Sequence, residues 1–130
     1  MNNNLPSWLQ RHINIFDNEQ IHHAFIISGS KGIGKSLLIE SLAEKILNNK
    51  ISLENNPDFH YLKILDEKKL IGIDQIHELR DKLYESSFLG KNKVAVINEI
   101  EKISSDGLNA ILKILEEPPK NTYFLLSTNF

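Results

Sequence analysis

Residues 22–43 read HHAFIISGSKGIGKSLLIESLA. A short apolar run, Phe25 to Ser28, leads into a glycine-rich octet at residues 29–36, and the period then changes. Leu38, Ile39, Leu42, Ala43, Ile46 and Leu47 form one helical stripe that stops at Asn48 and Asn49. The stretch therefore predicts a buried strand, a loop and a helix in direct succession. The octet GSKGIGKS fits GxxxxGK[ST] at Gly29, Gly34, Lys35 and Ser36. At ordinary residue frequencies a chain of this length matches by accident about once in two hundred, and the flanking elements make accident rarer still.

The pattern has a physical reason. A loop that wraps backbone N–H groups around phosphate oxygens tolerates no Cβ that blocks the approach or forbids the backbone angles, hence Gly29, Gly32 and Gly34. The helix behind it turns its unpaired N–H groups and positive end toward the same anion. Lys35 is placed to reach the β and γ phosphates, and Ser36 to give its hydroxyl oxygen to Mg²⁺. Gly29, Ser30, Lys31, Gly32, Ile33, Gly34, Lys35 and Ser36 are thus the expected cradle for ATP or ADP with Mg²⁺. The plainer alternative keeps the fold and leaves the loop an empty turn.

Hydrolysis asks for more: an acid for the metal and a group that orients water, both following an apolar strand. Residues 93–102 read KVAVINEIEK, so Asn98 stands where Asp is expected and Glu99 follows. Asn keeps an acceptor oxygen but loses the charge that holds a divalent cation beside phosphates. Glu99 is a candidate for orienting water, or an exposed strand-end glutamate. Glu101 is too far along the chain to receive a role from spacing. Past the last apolar run, Tyr123 to Leu126, Thr128 and Asn129 fall where ligands gather at the carboxyl ends of parallel strands. They are candidates for sensing the γ phosphate, or simple turn formers.

The remaining elements follow from pattern. Trp8, Leu9, Ile13 and Phe16 have helical spacing, and the aromatic pair reads as small-core anchors rather than as base-stacking groups. Phe59 to Leu65 and Val94 to Ile97 read as strands, separated by a charged loop at 66–70 and a helix that Asp74 begins or caps, with Ile76, Leu79, Leu83 and Tyr84 on its apolar side. Ser104 or Ser105 caps a helix bearing Leu108, Ile111, Leu112 and Leu115, stopped by Pro118 and Pro119. Strands alternating with helices imply a mostly parallel sheet covered on both faces, a three-layer α/β/α fold. The chain ends directly after its fourth strand, which predicts a domain truncated before a shielding element.

Composition narrows the function classes. One hundred and thirty residues, 41% hydrophobic and 25% charged, suit one globular domain. A net charge of −2 offers no broad cationic face for nucleic acid, so such contacts would use local patches or partner chains. The absence of cysteine excludes disulfides and thiolate metal sites. His12, His22, His23, His60 and His77 have no ligand spacing, so no zinc site is expected. No run approaches the length of a membrane span and the N-terminus lacks a leader pattern, which predicts a soluble cytoplasmic protein.

Residues 111–128, ILKILEEPPKNTYFLLST, closely resemble the signature of bacterial clamp-loader AAA+ subunits, which open a sliding clamp and place it on primed DNA. PSWLQ at 6–10, HHAFIISG at 22–29, NPDFHYL at 56–62 and IGIDQIHELRDKLYESSFLGKNKVAVI at 71–97 resemble the delta prime branch of that family more than the gamma/tau branch. The resemblance spans nearly the whole chain. It implies an AAA+ P-loop NTPase domain over residues 1–130, with a fifth strand beside the first and lid and collar domains beyond it. It also implies a rigid stator role beside gamma/tau and delta subunits in a hetero-pentamer, acting on the clamp and primer-template DNA through the assembly. The family's Ser-Arg-Cys arginine-finger motif is absent from these residues. So is its four-cysteine zinc module, replaced here by LNNKISLENN at 47–56. With an intact cradle but Asn98 in the acidic position, the expectation is nucleotide binding with little independent hydrolysis; an active gamma/tau-like ATPase is the alternative.

Overall fold

The computed structural model describes residues 23–30, 32, 34–65 and 67–129. The helix expected around Trp8 and Phe16, and the placement of Lys31 and Ile33, lie outside the described residues. Four strands, β1 (Ala24–Ser28), β2 (Phe59–Leu62), β3 (Lys93–Ile97) and β4 (Thr122–Thr128), form a wholly parallel sheet in the order β1-β4-β3-β2. Three helices connect them: α1 (Lys35–Leu47), α2 (Ile73–Tyr84) and α3 (Ser105–Glu116).

Alternation along the central strands builds two cores. Val94, Val96 and Leu125 face α1, where they meet Leu38, Ile39, Leu42, Ala43, Ile46 and Leu47. Ala95, Ile97, Phe124 and Leu126 face the other way, against Ile76, Leu79 and Leu83 of α2 and Ile111 and Ile114 of α3. All five residues of β3 are buried, the mark of a parallel strand covered on both faces. Each fully buried large aliphatic side chain contributes about 1.5–3 kcal/mol, so these two clusters hold the three layers together.

The ends of α1 and α3 agree with their signals, whereas α2 starts at Ile73 with Gly72 as its N-cap, ahead of the expected Asp74. Asn48 closes α1 in the left-handed conformation, and the Ser104 hydroxyl caps α3 by accepting from Gly107 N. The apolar face of α3 is turned from the one its leucines suggest. Gly107, Ile111 and Ile114 are buried, Leu115 is half-buried, and Leu108 and Leu112 stay in solvent. Close approach sets this phase: a Cβ on Gly107 would stand 2.9 Å from the Ile103 methyl and 3.0 Å from the Ser104 hydroxyl. Tyr84 is likewise exposed. The second strand ends at Leu62, before the expected Leu65, while β4 runs on to Thr128.

At the opposite end of the sheet from the octet, two buried charges stitch loops to strands. The Asp58 carboxylate accepts from Phe88 N at 2.8 Å and Leu89 N at 3.1 Å. The Lys93 ammonium caps the end of α2, donating to the carbonyls of Leu83 and Glu85. Burial pushes the Lys93 pKa below its ordinary value, and the charges of Asp58 and Glu85 oppose that shift. Asp58→Ala leaves two backbone donors unpaired and the Lys93 charge less compensated. It is expected to lower unfolding free energy by about 3 kcal/mol in urea titration.

Candidate nucleotide-binding site

The octet lies between β1 and α1, at the carboxyl end of the sheet. Gly29, Gly32 and Gly34 have φ of 153°, 83° and 93°, and Gly34 serves as the left-handed N-cap of α1. At Gly32 no described atom lies within reach of a Cβ, so there the requirement is the backbone angle rather than space. The start of α1 has no side-chain cap and no acid in its first turn. By contrast, α3 is capped by Ser104, and Gln75 accepts from Gly72 N ahead of α2. The first-turn N–H groups of α1 are thereby left for an anion, which is the fit a phosphate requires.

Parallel pairing of β1 with β4, ending at Ser28 opposite Thr128, brings the octet beside the end of β4. Lys35 crosses that junction. Its ammonium donates to the carbonyl of Gly29, to the carbonyl of Thr128 at 2.9 Å and to Asn129 Oδ1 at 2.6 Å. The Asn129 side chain continues the chain of bonds, its Nδ2 donating to Glu99 Oε1 at 3.3 Å. Glu99 itself has φ 57°, a left-handed conformation uncommon for a side-chain-bearing residue. Two bonds hold it there: its N–H donates to Ser127 Oγ at 3.0 Å, and its carbonyl accepts from Lys102 N at 2.8 Å. The Ser127 hydroxyl in turn donates to Asn98 Oδ1.

A family model described as "DNA polymerase III, delta subunit" matches residues 5–130. The chain belongs to this clamp-loader family. It is 31% identical over 128 residues to the DNA polymerase III subunit delta' of Haemophilus influenzae, covering 88% of this chain and 39% of that protein. It is 33% identical over 122 residues to the subunit gamma of Buchnera aphidicola from Acyrthosiphon pisum, covering 84% and 34%. Among solved structures, a gamma subunit-related protein of Thermotoga maritima superposes with a TM-score of 0.71 at 26% identity, covering 92% of this chain and 38% of that one. The chain thus spans about two-fifths or less of the relatives it matches.

In this clamp-loader domain the residues singled out by pattern fall into two groups. Lys35, Glu99, Thr128 and Asn129 are joined by direct hydrogen bonds, Thr128 through its carbonyl rather than its hydroxyl. Asn98 belongs to the same strand ends, but its acceptor oxygen is taken by Ser127. Ser36 is exposed at the start of α1. Among the described residues no three His, Cys, Asp or Glu side chains gather as a metal site, and no helix is long and apolar enough to cross a membrane.

One carboxylate at the site escapes a reading by spacing. Glu101 lies on a 3-10 turn, Ile100–Lys102, which folds the chain back so that Glu101 Oε2 accepts from Asn129 N at 3.1 Å. Burial would raise the Glu101 pKa. Its own backbone N–H, the nearby Thr128 hydroxyl, Asn129 N–H and the charge of Lys35 outweigh that and hold the carboxyl below the usual glutamate range. Only the turn at Glu99 reveals this proximity, and a positive φ on a glutamate leaves no signal in the sequence. Ser127, absent from the pattern-based candidates, ties two of them together. Ser127→Ala leaves the Glu99 N–H and the Asn98 oxygen without their partner. It should cost about 2 kcal/mol of stability in chemical denaturation, whereas a site that reorganises freely would show no change.

Proposed function

We propose that this domain serves as a delta prime-type clamp-loader subunit, a stator that holds ATP or ADP with Mg²⁺ in the octet and turns it over slowly at most. The observation that carries the reading is the pairing of an intact cradle with Asn98, whose oxygen is bonded to Ser127 where hydrolysis calls for a free carboxylate. The open N-terminus of α1 and the Lys35 ammonium supply the phosphate-binding half. Bound nucleotide would supply a triphosphate and its Mg²⁺, the ion calling on the Ser36 hydroxyl. Lys35 would exchange the carbonyl of Thr128 and the amide of Asn129 for phosphate oxygens. Thr128 and Asn129 mark the γ-phosphate end of the site, and Glu99 is the group able to orient water. Ser30, Lys31, Gly32 and Ile33 complete the loop in this reading.

In the cell the proposed setting is the cytoplasm, within a hetero-pentamer of gamma/tau and delta subunits that acts on the sliding clamp and primer-template DNA. Similarity to subunits named delta' and gamma alike supports a clamp-loading context. A second reading, an active gamma/tau-like ATPase, draws on the linkage of Lys35, Asn129 and Glu99. Phosphate release separates the two. Under multiple turnover with Mg²⁺ the purified protein should release phosphate near background, and steady release that Lys35→Ala abolishes would favour the ATPase. Lys35→Ala should weaken ATP binding at least tenfold, roughly the worth of one charge-assisted bond, measured by titration. Asn98→Asp should strengthen Mg²⁺-dependent binding, and equal affinities would place residue 98 out of the ion's reach.

A further inference from the structure

Asn129 lies one residue beyond the end of its sheet. The ladder of β4 ends at Thr128 opposite Ser28 on one side and at Leu126 opposite Ile97 on the other. No strand partner is therefore left to fix the Asn129 backbone, yet its side chain has to sit accurately between a cation and an anion. The partner of its N–H is the Glu101 carboxylate, through Oε2 at 3.1 Å. Glu101 is itself held firmly: its turn is closed by Lys102 N to Glu99 O at 2.8 Å and Ile103 N to Ile100 O at 3.1 Å. Ile71 anchors that turn, its N–H donating to Lys102 O at 2.7 Å and its carbonyl accepting from Ser104 N at 2.8 Å. The other oxygen, Glu101 Oε1, is buried without a hydrogen-bond partner among the described residues.

Resting on the nucleotide-binding reading, we propose that Glu101 is a positioning residue that acts through Asn129. By gripping the Asn129 N–H it fixes the amide at the end of β4, where it can meet the terminal phosphate once Lys35 has turned to phosphate oxygens, and so lets the site distinguish a triphosphate from a diphosphate. Its reach is limited to the terminal phosphate. The cradle itself is made by the octet and the start of α1, which Glu101 meets only through the charge of Lys35, so removing Glu101 should not weaken diphosphate binding.

The test is the ratio of ATP to ADP affinity, measured by calorimetric titration with Mg²⁺ on the purified protein and its variants. Glu101→Ala is expected to lower the ratio about tenfold, the scale of one hydrogen bond to a charged group, with ADP binding not weakened. The same substitution placed on Asn129→Ala should add nothing further, because the two act in series. Glu101→Gln keeps an acceptor oxygen and should retain most of the ratio. Glu101→Met, close in shape and lacking an acceptor, should behave as Glu101→Ala and replaces it if the alanine variant does not fold. An unchanged ratio in the acceptor-less variant, or an equal fall in both affinities, overturns the proposal while leaving nucleotide binding intact. A wild-type protein that binds neither nucleotide overturns both.

Discussion

The Lys35 ammonium, bound at once to the carbonyls of Gly29 and Thr128 and to the amide of Asn129, is the contact on which the site depends. It exists only because β1 and β4, first and last of the four strands in chain order, are neighbours in the sheet. That neighbourhood depends in turn on both faces of β4 being covered, by α1 on one side and by α2 and α3 on the other. A half-buried cation without phosphate needs acceptors, and two backbone carbonyls with one side-chain amide supply them. The same three acceptors set the terms for any anion, which has to offer the lysine at least as much.

Around this lysine the strand ends divide their tasks. Ser127 ties Asn98 to the start of the Glu99 turn, and Asn129 connects lysine to glutamate. The left-handed Glu99 stores backbone strain of the kind that persists where surrounding bonds over-determine a residue. The result is an assembled constellation in which the Asn98 oxygen is already engaged by Ser127.

Much of the architecture was legible in residue order. The octet with its strand and helix, the buried run KVAVI and the two prolines after Glu117 each act through local chemistry. What could not be read depends on contacts across the chain. The phase of α3 is set by Gly107 packing against Ile103, a steric limit that a leucine count cannot express. β2 stops at Leu62 because its pairing with β3 ends there, opposite Ile97, and the grip of Asp58 on Phe88 and Leu89 reaches some thirty residues along the chain. At the site, Lys35 was found by the octet and Glu99, Thr128 and Asn129 by their places at strand ends, whereas Glu101 and Ser127 emerge only once the turn after β3 is drawn.

In the proposed function the cradle holds phosphate through Lys35 and the start of α1 and gains little from metal, because residue 98 brings no charge. Calorimetric titration of the purified protein with ATP, in magnesium and again in excess chelator, addresses it directly. Saturable binding is expected in both conditions, with affinity rising less than about tenfold when Mg²⁺ is present. Absence of binding in both conditions, or binding that appears only with Mg²⁺, would contradict it.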